Sequence, residues 1–139
     1  MTTIAWDGKT LASDTRSMSD DVIDQAETHK IFKKKGKLYG LAGDYAQALA
    51  VMHWLQGGEK PEFEDSDFDV LVIDKGKAVI YGDQLYPYEA KAPLAIGSGG
   101  GYAIAAMLSG ADSRKAVKVA ALLDPNTGGR IKTFKCPGN

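Results

Sequence analysis

Thr2-Thr3-Ile4-Ala5-Trp6-Asp7-Gly8-Lys9-Thr10-Leu11-Ala12-Ser13-Asp14 follows Met1 and reads as a β-hairpin. Ile4 to Trp6 and Thr10 to Ala12 are short strand-like runs. Asp7-Gly8 between them is a turn signal, because a type I′ turn needs positive φ. The chain is therefore expected to enter a strand directly. Met1 to Asp7 has neither a basic stretch nor an apolar run, so a signal peptide is not expected.

The same grammar recurs outward from this hairpin. Ser13 to His29 is polar and reads as a loop. Lys30 to Lys33 and Leu38 to Leu41 flank Lys35-Gly36, and Val70 to Ile73 and Ala78 to Tyr81 flank Asp74-Lys75-Gly76-Lys77, giving two further hairpins. Asp44 is placed to cap a helix from Tyr45 to Leu55, in which Ala46, Leu49, Ala50, Met52, His53 and Leu55 recur at near-helical spacing. Gly57-Gly58 ends it. Gln56 to Asp69 is an acidic connector containing Pro61. Leu94 to Ile96 is a short strand, followed by the glycine-rich turn from Gly97 to Gly101. Helices are predicted over Tyr102 to Leu108 and Arg114 to Leu123. Asp112 or Ser113 caps the second, and Ala116, Val117, Ala120, Ala121 and Leu123 form its buried stripe. Asp124-Pro125-Asn126-Thr127-Gly128-Gly129 is a turn, and Arg130 to Phe134 a last strand. Clustered hairpins with grouped helices predict one α+β domain over residues 1–139, in which antiparallel sheets are covered by helices.

Composition narrows the function. The 139 residues are 44% hydrophobic and 25% charged, the balance of a globular domain. The net charge of -1, with no basic block beyond Lys33 to Lys35, argues against nucleic acid as a partner. No apolar run approaches the roughly 20 residues of a membrane span. The single cysteine, Cys136, cannot close an internal disulfide, which fits a reducing compartment and a cytoplasmic location. The two histidines, His29 and His53, form no serine or cysteine triad pattern, and no cofactor or metal is implied.

Thr2 offers a different chemistry. A small residue behind the initiator methionine permits its removal, leaving a hydroxyl and a free α-amine on one residue. An α-amine has an ordinary pKa of about 7.7–8.0, so part of it is unprotonated near neutral pH and can take the hydroxyl proton. Such a nucleophile needs a cation to tune it and an acid to hold that cation. Lys30 and Asp14 qualify if the first two hairpins pair side by side. Taken singly, one is a strand-end lysine and the other a turn aspartate. Gly43, at the strand-to-helix turn, can present a backbone N–H to an oxyanion. The glycine run around Ser98 lacks the Lys-[Ser/Thr] ending of a phosphate loop.

In order and spacing, several blocks resemble proteasome β-subunits and HslV, the peptidase of the bacterial two-component ATP-dependent protease. They are Thr2-Thr3-Ile4, Ala12-Ser13-Asp14, Lys30-Ile31, Gly40 to Ala48, Ala95 to Ala103, and Asp124-Pro125-Asn126-Thr127-Gly128-Gly129, where threonine stands in place of the family's serine. The resemblance implies an αββα four-layer sandwich (the N-terminal-nucleophile hydrolase fold) and threonine-type endopeptidase activity. It makes Thr2 the nucleophile and, through its amine, the base. Lys30 would tune Thr2, with Asp14 positioning Lys30. Ser98, Asp124 and Thr127 would form the polar network around the amine, and the Gly43 N–H would bind the oxyanion. Ser17, Thr28, Phe32, Leu41 and Tyr45 fall where the family lines its first specificity pocket, implying cleavage after large apolar residues.

The resemblance further implies unfolded polypeptide or peptide substrates, a homo-oligomeric ring and a separate ATP-dependent unfoldase. Two other functions stay open: a catalytically idle ring or scaffold homologue, and a small-molecule amidase of the same class. The long second helix of that family has no counterpart, since the connector from Gln56 to Asp69 takes its place. One helical layer is thus expected to be reduced, with the apolar surface of the first helix, including Met52 and Leu55, left open to a neighbouring subunit.

Overall fold

The computed structural model describes residues 2–136. Period-two patterning and turn residues give strands β1 (Ile4–Trp6), β2 (Thr10–Ser13), β3 (Met18–Ser19), β4 (Val22–Ile23), β5 (Ile31–Lys34) and β6 (Lys37–Gly43). Helix α1 (Tyr45–Leu55) follows, then β7 (Phe68–Asp74), β8 (Lys77–Tyr81), β9 (Pro87–Ala90) and β10 (Leu94–Ile96). Helices α2 (Gly100–Leu108) and α3 (Ser113–Leu123) precede β11 (Lys132–Lys135). Asp44 caps α1 by accepting from the Gln47 N–H at 3.1 Å, and Asp112 caps α3 by accepting from the Lys115 N–H at 2.8 Å.

Nine of the strands form two antiparallel sheets, β10-β1-β2-β11 and β5-β6-β7-β8-β9, and β3 and β4 pair separately. Ile4, Trp6 and Leu11 of the first meet Ile31, Leu38, Leu71 and Ile73 of the second in a core between the sheets. Each such side chain contributes about 1.5–3 kcal/mol when fully buried. Helices α2 and α3 cover the outer face of the first sheet through Ala103, Met107, Ala116 and Val117 packed on Ala5 and Ala12. On the outer face of the second, α1 packs alone, with Ala48, Val51 and Met52 against Tyr39, Leu41, Phe68 and Val70. The architecture is an αββα sandwich with one helical layer reduced to a single helix.

Several elements depart from the sequence reading. The polar stretch from Ser13 to His29 contains the small hairpin β3–β4, and the end of the connector already belongs to β7. Strand β9 was not foreseen; its exposed Tyr88 and Glu89 carry no core pattern. The inward face of α1 is set by Ala48, Val51 and Met52, while Ala46 and His53 are exposed. In so apolar a helix spacing offers little contrast, and the sheet selects the face. Nor is α1 left open: Met52 is buried, and Leu55 is half-buried in a cluster with Phe63 of the connector, Tyr81 and Leu85. In α3 the inward row runs Ser113, Ala116, Val117, Ala120 and on to Asp124, so Leu123 is exposed instead of buried.

Candidate active site

The β1–β2 hairpin puts the two ends of its sequence side by side: Ile4 is in register with Ser13, and the Asp14 N–H donates to the Thr3 carbonyl at 3.3 Å. Thr2 and Asp14 therefore meet at the end of the sheet, both buried. The Thr2 hydroxyl donates to Asp14 Oδ1 at 2.6 Å, and the Thr3 N–H donates to the same oxygen at 3.1 Å. Lys30 comes from the facing sheet, one residue before β5. Its Nζ donates to Asp14 Oδ1 at 3.0 Å and to the Arg16 carbonyl at 2.6 Å. Burial pushes the Lys30 pKa below its ordinary value, and the Asp14 carboxylate offsets part of that shift.

A second polar group borders Thr2 from the other side. Ser98 and Thr127 both donate hydroxyl protons to Asp124 Oδ2, at 2.6 and 2.7 Å. Burial works to raise the Asp124 pKa, but these hydrogen bonds outweigh it and hold the carboxyl below its ordinary range. Ser98 also reaches the Thr2 carbonyl at 3.5 Å, and the Gly99 N–H donates to that carbonyl at 3.1 Å. The Thr3 hydroxyl lies 2.7 Å from the Thr127 hydroxyl. Thr127 already donates to Asp124, so Thr3 is the donor to Thr127 and the chain of hydroxyls runs one way.

A cavity of about 150 Å³ opens at Thr2, with Lys30 and Gly43 in its wall. Gly43 ends β6 with φ of 83°, and an added Cβ would run into the Asp67 carbonyl oxygen. Of the residues expected to line a specificity pocket, Ser17, Thr28, Leu41 and Tyr45 border this cavity. Phe32 stands elsewhere: alternation along β5 turns its ring into the α1 cluster. Arg16, Met18 and Asn126 line the cavity and were not singled out from the sequence. Arg16 stands in the loop after β2, where no periodicity marks it. Met1 lies outside the described residues. Among the described residues no cluster of His, Cys, Asp or Glu is arranged to hold a metal, and no helix is long and apolar enough to cross a membrane.

No protein-family model matches the sequence, and no curated protein matches it. Solved structures do match the fold. HslV from Trypanosoma brucei superposes with a TM-score of 0.75 at 20% identity, covering 96% of this chain and 97% of that one. Thiobacillus denitrificans BPH superposes with a TM-score of 0.73 at 18% identity over 99% of both chains. Its complex with epoxomicin gives 0.74 at 19% identity over 96% of both. At these identities the likeness establishes the fold.

Proposed function

We propose that this protein is a threonine-type endopeptidase subunit whose nucleophile is the Thr2 hydroxyl once Met1 is removed. The observation that carries the reading is the 2.6 Å hydrogen bond from Thr2 to Asp14, on the carboxylate oxygen that also holds the buried Lys30, at the wall of a cavity. The cation next to the hydroxyl stabilises the alkoxide as the proton leaves. In the proposed reaction the freed Thr2 amine takes that proton and Oγ1 attacks the scissile carbonyl. The Gly43 N–H receives the oxyanion, and the amine returns the proton to the departing nitrogen. Water then hydrolyses the Thr2 ester by the same route. Ser98, Asp124 and Thr127 hold the amine in place.

Leu41 gives the cavity an apolar wall, with Ser17 and Thr28 as small polar residues beside it. This favours cleavage after apolar side chains. A homo-oligomeric ring, cytoplasmic and fed by a separate ATP-dependent unfoldase, completes the proposal by analogy with the HslV fold. The test combines intact mass with inhibition and mutation. Wild type is expected to lack Met1, to hydrolyse peptides and to be modified by an epoxyketone, which needs both hydroxyl and free amine. Thr2→Ala is expected to abolish hydrolysis and labelling with the fold intact. Undiminished hydrolysis by Thr2→Ala overturns the reading.

A further inference from the structure

The chain carries a net charge of -1, yet its charges are segregated between the two ends of the sheets. Leu38 is in register with Ile73 and Ala78 with Ala90, so the β5–β6 turn, the β7–β8 turn and the end of β9 lie together. They bring Lys34, Lys35, Lys37, Lys75, Lys77 and Lys91 to the end opposite Thr2. Among the described residues only Lys37 and Lys77 of these form ion pairs, with Asp74 and Glu89.

The end that holds Thr2 is acidic, with carboxylates on both sides of the cavity. One group lies on the β3–β4 hairpin. Met18 lines the cavity and pairs with Ile23, and Asp20 and Asp21 form the exposed tip between them. The Asp24 N–H donates at 2.9 Å to the carbonyl of Ser17, another lining residue. The second group surrounds the turn from β6 to α1. Ala42 and Gly43 of the cavity wall are in register with Asp69 and Phe68. Residues paired in this way point to the same side of a sheet, so Asp69 shares the side of Ala42. The Asp44 N–H donates to the Asp67 carbonyl at 2.7 Å. Burial raises the Asp69 pKa, and the nearby charges of Asp83 and Asp67 raise it further. None of the carboxylates in the two groups has an ion-pair partner among the described residues. Of the cations at this end, Lys30 and Arg130 are paired with Asp14 and Glu27, which leaves Arg16 and Lys132.

We infer that the site selects cationic polypeptides, in which lysine or arginine residues flank an apolar residue at the cleaved bond. The inference rests on the peptidase reading and names its substrate class. The carboxylates form no cage of their own, since among the described residues none of their groups is arranged to hold a metal. The site is the cavity at Thr2. Its wall contains no carboxylate, so the charge acts on residues beside the one that enters it. A cleft bordered by one sign of charge concentrates ligands of the opposite sign and speeds their arrival about 10- to 1,000-fold. The lysines at the opposite end add to the asymmetry, because they repel a cationic chain where no site lies.

The experiment compares three fluorogenic peptides that share one apolar residue at the cleaved bond and carry lysine, glutamine or glutamate on both sides of it. At low ionic strength kcat/KM is expected to fall in that order, with the lysine and glutamate peptides at least about 10-fold apart. The difference is expected in KM, with kcat within about threefold, because the field acts on arrival and binding. At about 1 M salt the screening length is about 3 Å, and the three values are expected to converge. Asp20→Asn with Asp21→Asn, and separately Asp67→Asn with Asp83→Asn, are each expected to reduce the lysine-to-glutamate ratio at least about threefold. Asp20 and Asp21 are exposed, so the hairpin pair decides if the other pair does not fold. Lys75→Gln with Lys91→Gln is expected to leave the ratio unchanged. Equal kcat/KM for the three peptides, a preference that survives high salt, or a ratio moved as far by the lysine variants as by the aspartate ones overturns the inference and leaves the peptidase standing. A wild type that hydrolyses none of the peptides overturns the peptidase reading and this substrate class together.

Discussion

The Thr2 hydroxyl lies 2.6 Å from Asp14 Oδ1, closer than either of the other donors to that oxygen, Lys30 Nζ at 3.0 Å and the Thr3 N–H at 3.1 Å. A hydroxyl bound to an ionised carboxylate makes a short, strong hydrogen bond. Asp14 therefore holds the candidate nucleophile directly, as well as through Lys30. With Gly128 N–H on Oδ2, the buried carboxylate accepts four hydrogen bonds.

Asp14→Asn keeps the shape and removes the charge. It leaves Lys30 buried beside a neutral amide and puts an NH₂ where donors converge. Breaking a buried ion pair from one side costs about 3–5 kcal/mol. A clear fall in the thermal midpoint is expected, together with loss of peptide hydrolysis. A midpoint equal to wild type would show that the pair contributes nothing to the fold.

Lys30→Ala is expected to reduce turnover at least about 100-fold, the low end for loss of a positioned electrostatic group. Lys30→Arg is not expected to restore it. Nζ sits between Asp14 Oδ1 and the Arg16 carbonyl, and a planar guanidinium cannot occupy that point. Near-normal turnover in either variant removes Lys30 from the reaction.

The pH profile is expected to be a bell. Activity rises as the Thr2 amine loses its proton, ordinarily around pH 7.7–8.0. It falls as Lys30 loses its charge, and because burial lowers that pKa the fall starts below the ordinary 10.5. Stability runs the other way in this window. A lysine whose folded pKa is lowered disfavours the fold while protonated, so its contribution improves as pH rises from the folded value towards 10.5. Kinetic and melting profiles measured on the same samples should therefore diverge on the alkaline limb, where Lys30 loses its charge. Parallel profiles would mean that another group titrates.

Gly43→Ala combines a positive φ with a Cβ 2.8 Å from the Phe68 Cα and in collision with the Asp67 carbonyl oxygen. The turn from β6 to α1 must shift, carrying the Gly43 N–H with it. A kcat loss on the order of 100- to 1,000-fold is expected, the scale for one oxyanion donor. An unchanged kcat in a folded Gly43→Ala variant assigns the oxyanion elsewhere.

Assembly is expected as a closed homo-oligomer, read by light scattering as a multiple of the 14.8 kDa subunit. Leu55 is unsuited to testing the contacts, because it packs within its own subunit and its replacement by glutamate would disturb the fold. A monomer with full activity on proteins and peptides would refute the ring.

Sequence patterning determined much of this protein. Asp44 and the apolar run behind it delimit α1 as Tyr45–Leu55, and the turn residues mark the hairpins β1–β2, β5–β6 and β7–β8. Such features depend on neighbours a few residues apart, where φ preferences, caps and side-chain periodicity act. The residue types of Thr2, Asp14, Lys30, Ser98, Asp124 and Thr127 were also legible, through order and spacing. Tertiary structure alone decided which face of α1 turns inward, why Phe32 leaves the cavity, and how Thr3 hydrogen-bonds Thr127 across 124 positions. It also decided that Arg16 lies over Gly128. Hydrogen bonds and packing act within a few ångströms. Segments so distant in the chain acquire these contacts only when two sheets stack at one registry, and no local stretch encodes that spacing.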